Sequence, residues 1–205
     1  MSAPRKIVCM ETYWGDHKAR LFHNTSVRPF LEALSSLFDP PIRVAHRFVD
    51  SLAHLAHYTS YPDGLCWSDG DVFDAPVFYL SFHGAPGTLR ATVEDVDAGT
   101  LCRAFEGWGG HYDNLVHFGA CSVLAGRDGE AFARDFLAAS GCRAVLGYSA
   151  DVDWMESMVT DLLFLRRFFD DDDPWGNLRQ IHESILDDFM PARRLGYQMH
   201  ARDRV

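Results

Sequence analysis

Two short segments constrain the fold more than anything else in the chain. Val77 to Phe82 (VFYLSF) and Leu115 to Gly119 (LVHFG) are apolar at almost every position. A strand with one face in water alternates apolar and polar residues, whereas a central strand of a parallel sheet is covered on both faces and reads as a continuous apolar run. Other strand candidates surround them. Lys6 to Met10 is an apolar run ending at Glu11, Ile42 to Val49 (IRVAHRFV) has period-two character, and Arg143 to Gly147 (RAVLG) closes the series. Arg193 to His200 reads as an added edge strand.

Helical spacing fills the intervals. Phe30, Leu31, Leu34, Leu37 and Phe38 recur on one face of Pro29 to Phe38, and Ser51 to Tyr58 opens behind a cap at Asp50 or Ser51. Val96, Leu101 and Phe105 mark Glu94 to Phe105, and Phe132, Phe136 and Leu137 mark Glu130 to Ala139. Trp154 to Phe169 is the most apolar helix, and the Asp170 to Asp173 run with Pro174 separates it from Trp175 to Phe189. Tyr61 to Ala75 lacks periodicity and reads as a loop, and Thr88 to Val93 as a small hairpin arm.

Strands alternating with helices imply right-handed βαβ crossovers, a mostly parallel sheet and helices on both faces, the α/β class. With 205 residues, 47% of them hydrophobic, one domain can bury its own core. In such sheets the ligand crevice lies beyond the carboxyl ends of the strands. Glu11, His83 and Cys121 all follow strands directly.

The totals narrow the function. A net charge of -10 argues against a nucleic acid partner, which needs clustered cations to displace counterions. An acidic surface suits a basic peptide or protein, although many soluble proteins carry such a surface with no such role. Five cysteines without a CxxC pair suggest neither a zinc ribbon nor a disulfide framework. With an N-terminus lacking a signal-like apolar stretch, they point to a reducing cytoplasm. No run approaches a membrane span.

His83 and Cys121 end two strands that are consecutive in the buried series, so neighbouring strands would bring them out about 5 Å apart laterally. A thiol becomes a nucleophile as thiolate, and an adjacent imidazole can take its proton and return it to a leaving amine. Gly84 leaves room for a substrate backbone, and the Gly84 and Cys121 amides suit an oxyanion hole. A cysteine after a strand is often only packing; the pairing with His83 carries the functional reading.

YLSFHG (79–84) and VHFGACS (116–122) resemble the His-Gly and Ala-Cys motifs of caspase-like cysteine peptidases, a clan that includes caspases, separases, gingipains and bacterial CHAT proteins. The wider set CMETYW, FHGAPG, VHFGACSVL and GYSADVDWMES is similar to a bacterial family of uncharacterised caspase-like proteins, over about residues 5 to 168. The resemblance implies a three-layer caspase-like sandwich over residues 1–205, with a C-terminal helix and tail at 174–205. It implies His83 as general base and acid, Cys121 as nucleophile, and hydrolysis of a protein or peptide substrate without a cofactor. By analogy it also implies a role in bacterial defence or signalling and activation by a partner protein or cleavage. The chain departs from caspases in lacking the QACxG pentapeptide and a basic specificity pair, so aspartate specificity does not carry over.

Glu11 resembles a position of the primary specificity pocket. Asp151 and Asp153 can join it to receive a Lys or Arg side chain; either can equally cap the helix beginning at Trp154. His117, and similarly His46 and His111, read as core histidines. A metal held by His83, His117, Cys121 and Glu11 would lack any supporting ligand spacing. Gly107 to Gly110 (GWGG) precedes a strand, a poor phosphate cradle, and the acidic Asp170 to Asp173 run lacks the spacing of a calcium loop. Trp108 and Trp154 read as core or pocket wall. The other readings are a silent peptidase fold that binds a partner through the acidic crevice, favoured by a buried or averted thiol, and a flavodoxin-like module, weakened by the missing Gly-rich strand-to-helix loop.

Overall fold

The computed structural model describes residues 4–13, 26–68, 74–106, 108 and 113–202. Its centre is a six-stranded sheet of β1 (Lys6–Glu11), β2 (Arg43–Phe48), β3 (Val77–Ser81), β7 (Leu115–Gly119), β8 (Ala144–Tyr148) and β9 (Tyr197–Ala201), ordered β2-β1-β3-β7-β8-β9. All neighbours run parallel except β9, which pairs antiparallel with β8. This is the mostly parallel sheet the apolar runs require. The C-terminal segment forms the anticipated edge strand, one that reverses direction.

The pleat divides each strand between two helix layers. On one face Phe78, Leu80, Val116 and Phe118 meet α2 (Leu52–Thr59), α3 (Leu65–Ser68), α4 (Ala98–Ala104) and α5 (Gly126–Ser140) through Leu55, Cys66, Leu101, Phe132 and Phe136. On the other face Ile7, Val77, Tyr79, Leu115 and Leu146 meet α1 (Arg28–Ser35), α6 (Trp154–Asp170), α7 (Leu178–Asp188) and α8 (Met190–Arg194). Helices thus cover both faces of β3 and β7, which explains their lack of a polar side. Trp108 is wholly buried in the first layer, and its indole donates to the Thr59 carbonyl at 2.6 Å.

The region after β3 departs from the sequence expectation. A separate three-stranded antiparallel sheet forms there from β4 (His83–Ala85), β5 (Thr88–Arg90) and β6 (Asp95–Asp97). The helix expected from Glu94 begins only at Ala98, because Asp97 caps it by accepting from the Thr100 amide at 2.7 Å. The helical period of Val96 and Leu101 was therefore broken by a cap. The expected loop at 61–75 contains the short α3, and Gly107, Gly109, Gly110 and His111 lie outside the described residues. No helix among the described residues is long and apolar enough to cross a membrane.

Phe118 gives the packing a direct test. It is fully buried, with its ring 5.1 Å from Phe132 and 5.4 Å from Phe136. Phe118→Ala is expected to cost about 3–5 kcal/mol in urea unfolding, through lost transfer energy and a residual cavity. A cost below about 1 kcal/mol would contradict a close-packed layer between β7 and α5.

Candidate active site

Parallel pairing sets Ser81 beside Gly119, the last residues of β3 and β7. His83 and Cys121 each follow two positions later, on adjoining strand ends. Gly84 shows how closely the two segments approach. A Cβ there would lie 2.1 Å from the Cys121 carbonyl oxygen and 3.1 Å from the Ala120 Cβ, so only glycine lets β4 cross the cysteine turn.

The cysteine turn is held firmly. Ser122 adopts φ 52°, a left-handed conformation that costs a non-glycine residue about 1 kcal/mol or more. Its amide donates to the Ala150 carbonyl at 2.9 Å, and its hydroxyl donates to Asp151 at 2.7 Å. The Leu124 amide also reaches the Tyr148 carbonyl, at 3.0 Å. The segment after β8 therefore supports the strained backbone that presents Cys121, whose side chain remains partly exposed.

His83 is exposed at the start of β4 and faces Arg90 across the β4–β5 pair. Partial burial of the ring, and then the nearby Arg90 cation, lower its pKa from the ordinary histidine value. Neutral imidazole, the form that can accept a proton, therefore predominates at neutral pH.

His83 and Cys121 border one cavity of about 230 Å³, also lined by Val27, Tyr79, Ser81, Gly119, Val152, Trp154, Ser157, Met158 and Asp161. Trp154 is thus a pocket wall. Two residues lining this cavity carry a buried polar atom, Ser81 Oγ and Trp154 Nε1, with no hydrogen-bond partner among the described residues. Of its lining residues Tyr79, Ser81 and Asp161 are buried, whereas His83 is exposed and Cys121 partly exposed.

The three acidic residues anticipated for this pocket are placed differently from one another. Glu11 is buried, and its carboxylate accepts from the Ser26 hydroxyl (2.6 Å) and the Val27 amide (3.0 Å) and contacts His46 Nε2 (2.7 Å). Its neighbour Val27, but not Glu11 itself, lines the cavity. Asp153 is the N-cap of α6, accepting from the Met155 and Glu156 amides at 3.0 Å each. Asp151 is exposed and holds Ser122.

The acidic group that does line the cavity is Asp161, which the sequence reading passed over. Tyr79 donates to one of its oxygens and Tyr148 to the other. His117 Nε2 lies 3.0 Å from Asp161 Oδ1, and His117 Nδ1 is buried without a hydrogen-bond partner among the described residues. Nε2 also lies 3.2 Å from the Tyr197 hydroxyl, so the ring is held between a carboxyl group and a phenol. His117 is thus a core histidine, as anticipated, but one that holds a carboxylate. Asp161 could have been found in the sequence as the charged residue on the inward stripe Ser157, Met158, Asp161, Phe164, Leu165 and Phe168 of α6.

No group of three or more His, Cys, Asp or Glu side chains suited to a metal occurs among the described residues.

The lowered pKa of His83 has a measurable sign. Its ring resonance should titrate with a midpoint below the free-histidine value of about 6.5, and Arg90→Gln should raise that midpoint by removing the cationic contribution. A midpoint above 6.5 in the wild type would contradict this electrostatic description.

No curated protein matches the chain. Among solved structures it is similar to a secreted C11 cysteine protease from Bacteroides thetaiotaomicron in complex with an irreversible peptide inhibitor, with a TM-score of 0.55 and 10% identity. The match covers 89% of this chain and 58% of that protein's, so the chain spans little more than half the neighbour's length. A likeness at this identity establishes a shared caspase-like fold. The profile of a family of unknown function, DUF6642, matches residues 4–198, and the chain belongs to that family.

Proposed function

We propose that the protein is a cysteine peptidase of the caspase-like type, with His83 as general base and acid and Cys121 as nucleophile. The observation that carries this reading is their convergence on one cavity, with His83 shifted toward its neutral form. The fold shared with a C11 cysteine protease supports it.

In the proposed reaction His83 takes the Cys121 thiol proton, and the thiolate adds to the substrate carbonyl carbon. The Gly84 and Cys121 amides are the candidate donors to the oxyanion, at the close approach of the two segments. Collapse of the tetrahedral intermediate breaks the C–N bond, and the amine leaves with the proton returned by His83. Water, deprotonated by His83, then hydrolyses the thioester and frees Cys121. The substrate is a protein or peptide. The silent-fold reading drew its support from a buried or averted thiol, whereas Cys121 is partly exposed and lines the cavity.

Peptidyl acyloxymethyl ketones carrying Lys, Arg, Asn or Asp next to the reactive carbon test the proposal. At least one is expected to add covalently to Cys121, as read by intact mass and peptide mapping, with no adduct in Cys121→Ala. His83→Ala should slow the modification by about a hundredfold. Labelling elsewhere, or at Cys121 with a rate indifferent to His83, would remove the dyad.

A further inference from the structure

Asp161 is a buried carboxyl group held by three hydrogen-bonding side chains. Its partners are the Tyr79 and Tyr148 hydroxyls and the His117 imidazole, and no Lys or Arg pairs with it among the described residues. Burial of a carboxylate is costly unless charge or hydrogen bonds compensate it. A carboxylate offers about four acceptor positions, and these three partners leave one, on Oδ2. Because Asp161 lines the cavity, its remaining acceptor position and its charge can be met from there.

The vertical position of this group follows from Gly119. A Cβ at Gly119 would lie 2.6 Å from the Tyr79 hydroxyl, so that hydroxyl sits at the level of Gly119. Asp161, which accepts from it, lies close to the same level. Cys121 is two residues beyond Gly119, in the turn after β7, so its backbone is at most about 7 Å further on. That separation is within the span of the flexible stem of lysine or the guanidinium arm of arginine. Val27, Val152, Trp154 and Met158 supply apolar wall for such a stem, and Ser81, whose hydroxyl has no partner among the described residues, lines the same cavity.

We infer that this cavity binds an ammonium or guanidinium side chain with Asp161 as its counter-ion, making Asp161, more than Glu11, Asp151 or Asp153, the specificity-determining carboxylate. Under the peptidase reading, on which the identity of the ligand rests, the cation is the Lys or Arg side chain preceding the cleaved bond. Asp161 thereby offers a direct ion pair, whereas Glu11 does not line the cavity.

Binding can be read without catalysis. The Trp154 indole resonance, assigned with Trp154→Phe, is followed by NMR in Cys121→Ala while n-butylguanidinium or its neutral counterpart n-butylurea is added. The guanidinium is expected to shift this resonance and to bind at least about tenfold more tightly than the urea. Asp161→Asn should abolish that preference. Should this variant unfold, Ser81→Ala, with a loss of a fewfold in guanidinium affinity, and the wild-type-pocket comparison still decide. Equal binding of the two compounds, or no shift with either, overturns the inference. Guanidinium binding in a protein whose Cys121 resists every ketone probe would leave the cation pocket standing and remove the peptidase reading.

Discussion

The candidate site depends on one constraint, the parallel register that sets Ser81 of β3 beside Gly119 of β7. Strand pleating then does two jobs at once. Phe78, Leu80, Val116 and Phe118 enter one apolar layer, while Tyr79, Ser81, His117 and Gly119 share the other face. A slip of one residue would exchange these sets, burying the polar residues among phenylalanines. The same register that satisfies the core therefore aligns the chain segments bearing His83 and Cys121. The close approach at Gly84 completes the alignment, since it admits no side chain between β4 and the cysteine turn.

The polar cluster behind the cavity has a different character. Asp161 interrupts the apolar stripe of α6 and links β3, β7 and β8 through Tyr79, His117 and Tyr148. Burial raises the pKa of each tyrosine, and the Asp161 charge raises it further, so both phenols remain protonated donors. Asp161 is the shared partner of these groups, and an apolar residue in its place would leave two buried phenols and an imidazole unsatisfied. The placement of Asp161 beside a cavity also lined by Ser81, whose hydroxyl has no partner among the described residues, is what gives the cluster a ligand-directed meaning.

Much of the fold was legible because its signals are local. Continuous apolar runs marked β3 and β7, and helical stripes marked α6 almost to its observed limits but overran the end of α1 at Ser35 and missed the first turn of α5 from Gly126. The small sheet β4–β6 was only partly legible, since three-residue strands carry too few positions for a period, and Asp97 acts as a cap inside an apparently helical stretch. His83 and Cys121 were visible from their places after buried strands, and the cavity joins them. The roles of the acidic residues were not, because spacing cannot tell a cap from a ligand. Asp153 caps α6, Asp151 braces Ser122, and Glu11 meets Ser26, Val27 and His46. Asp161 depended on contacts from three strands far apart in sequence.

The most direct test of the central claim, that His83 activates Cys121, is the rate of Cys121 alkylation by iodoacetamide across pH in the wild type and in His83→Ala. The account predicts that, near neutral pH, the wild-type thiol reacts much faster than that of the variant, which lacks the imidazole to take its proton. Superimposable profiles would contradict it, because the imidazole would then take no part in deprotonating the thiol.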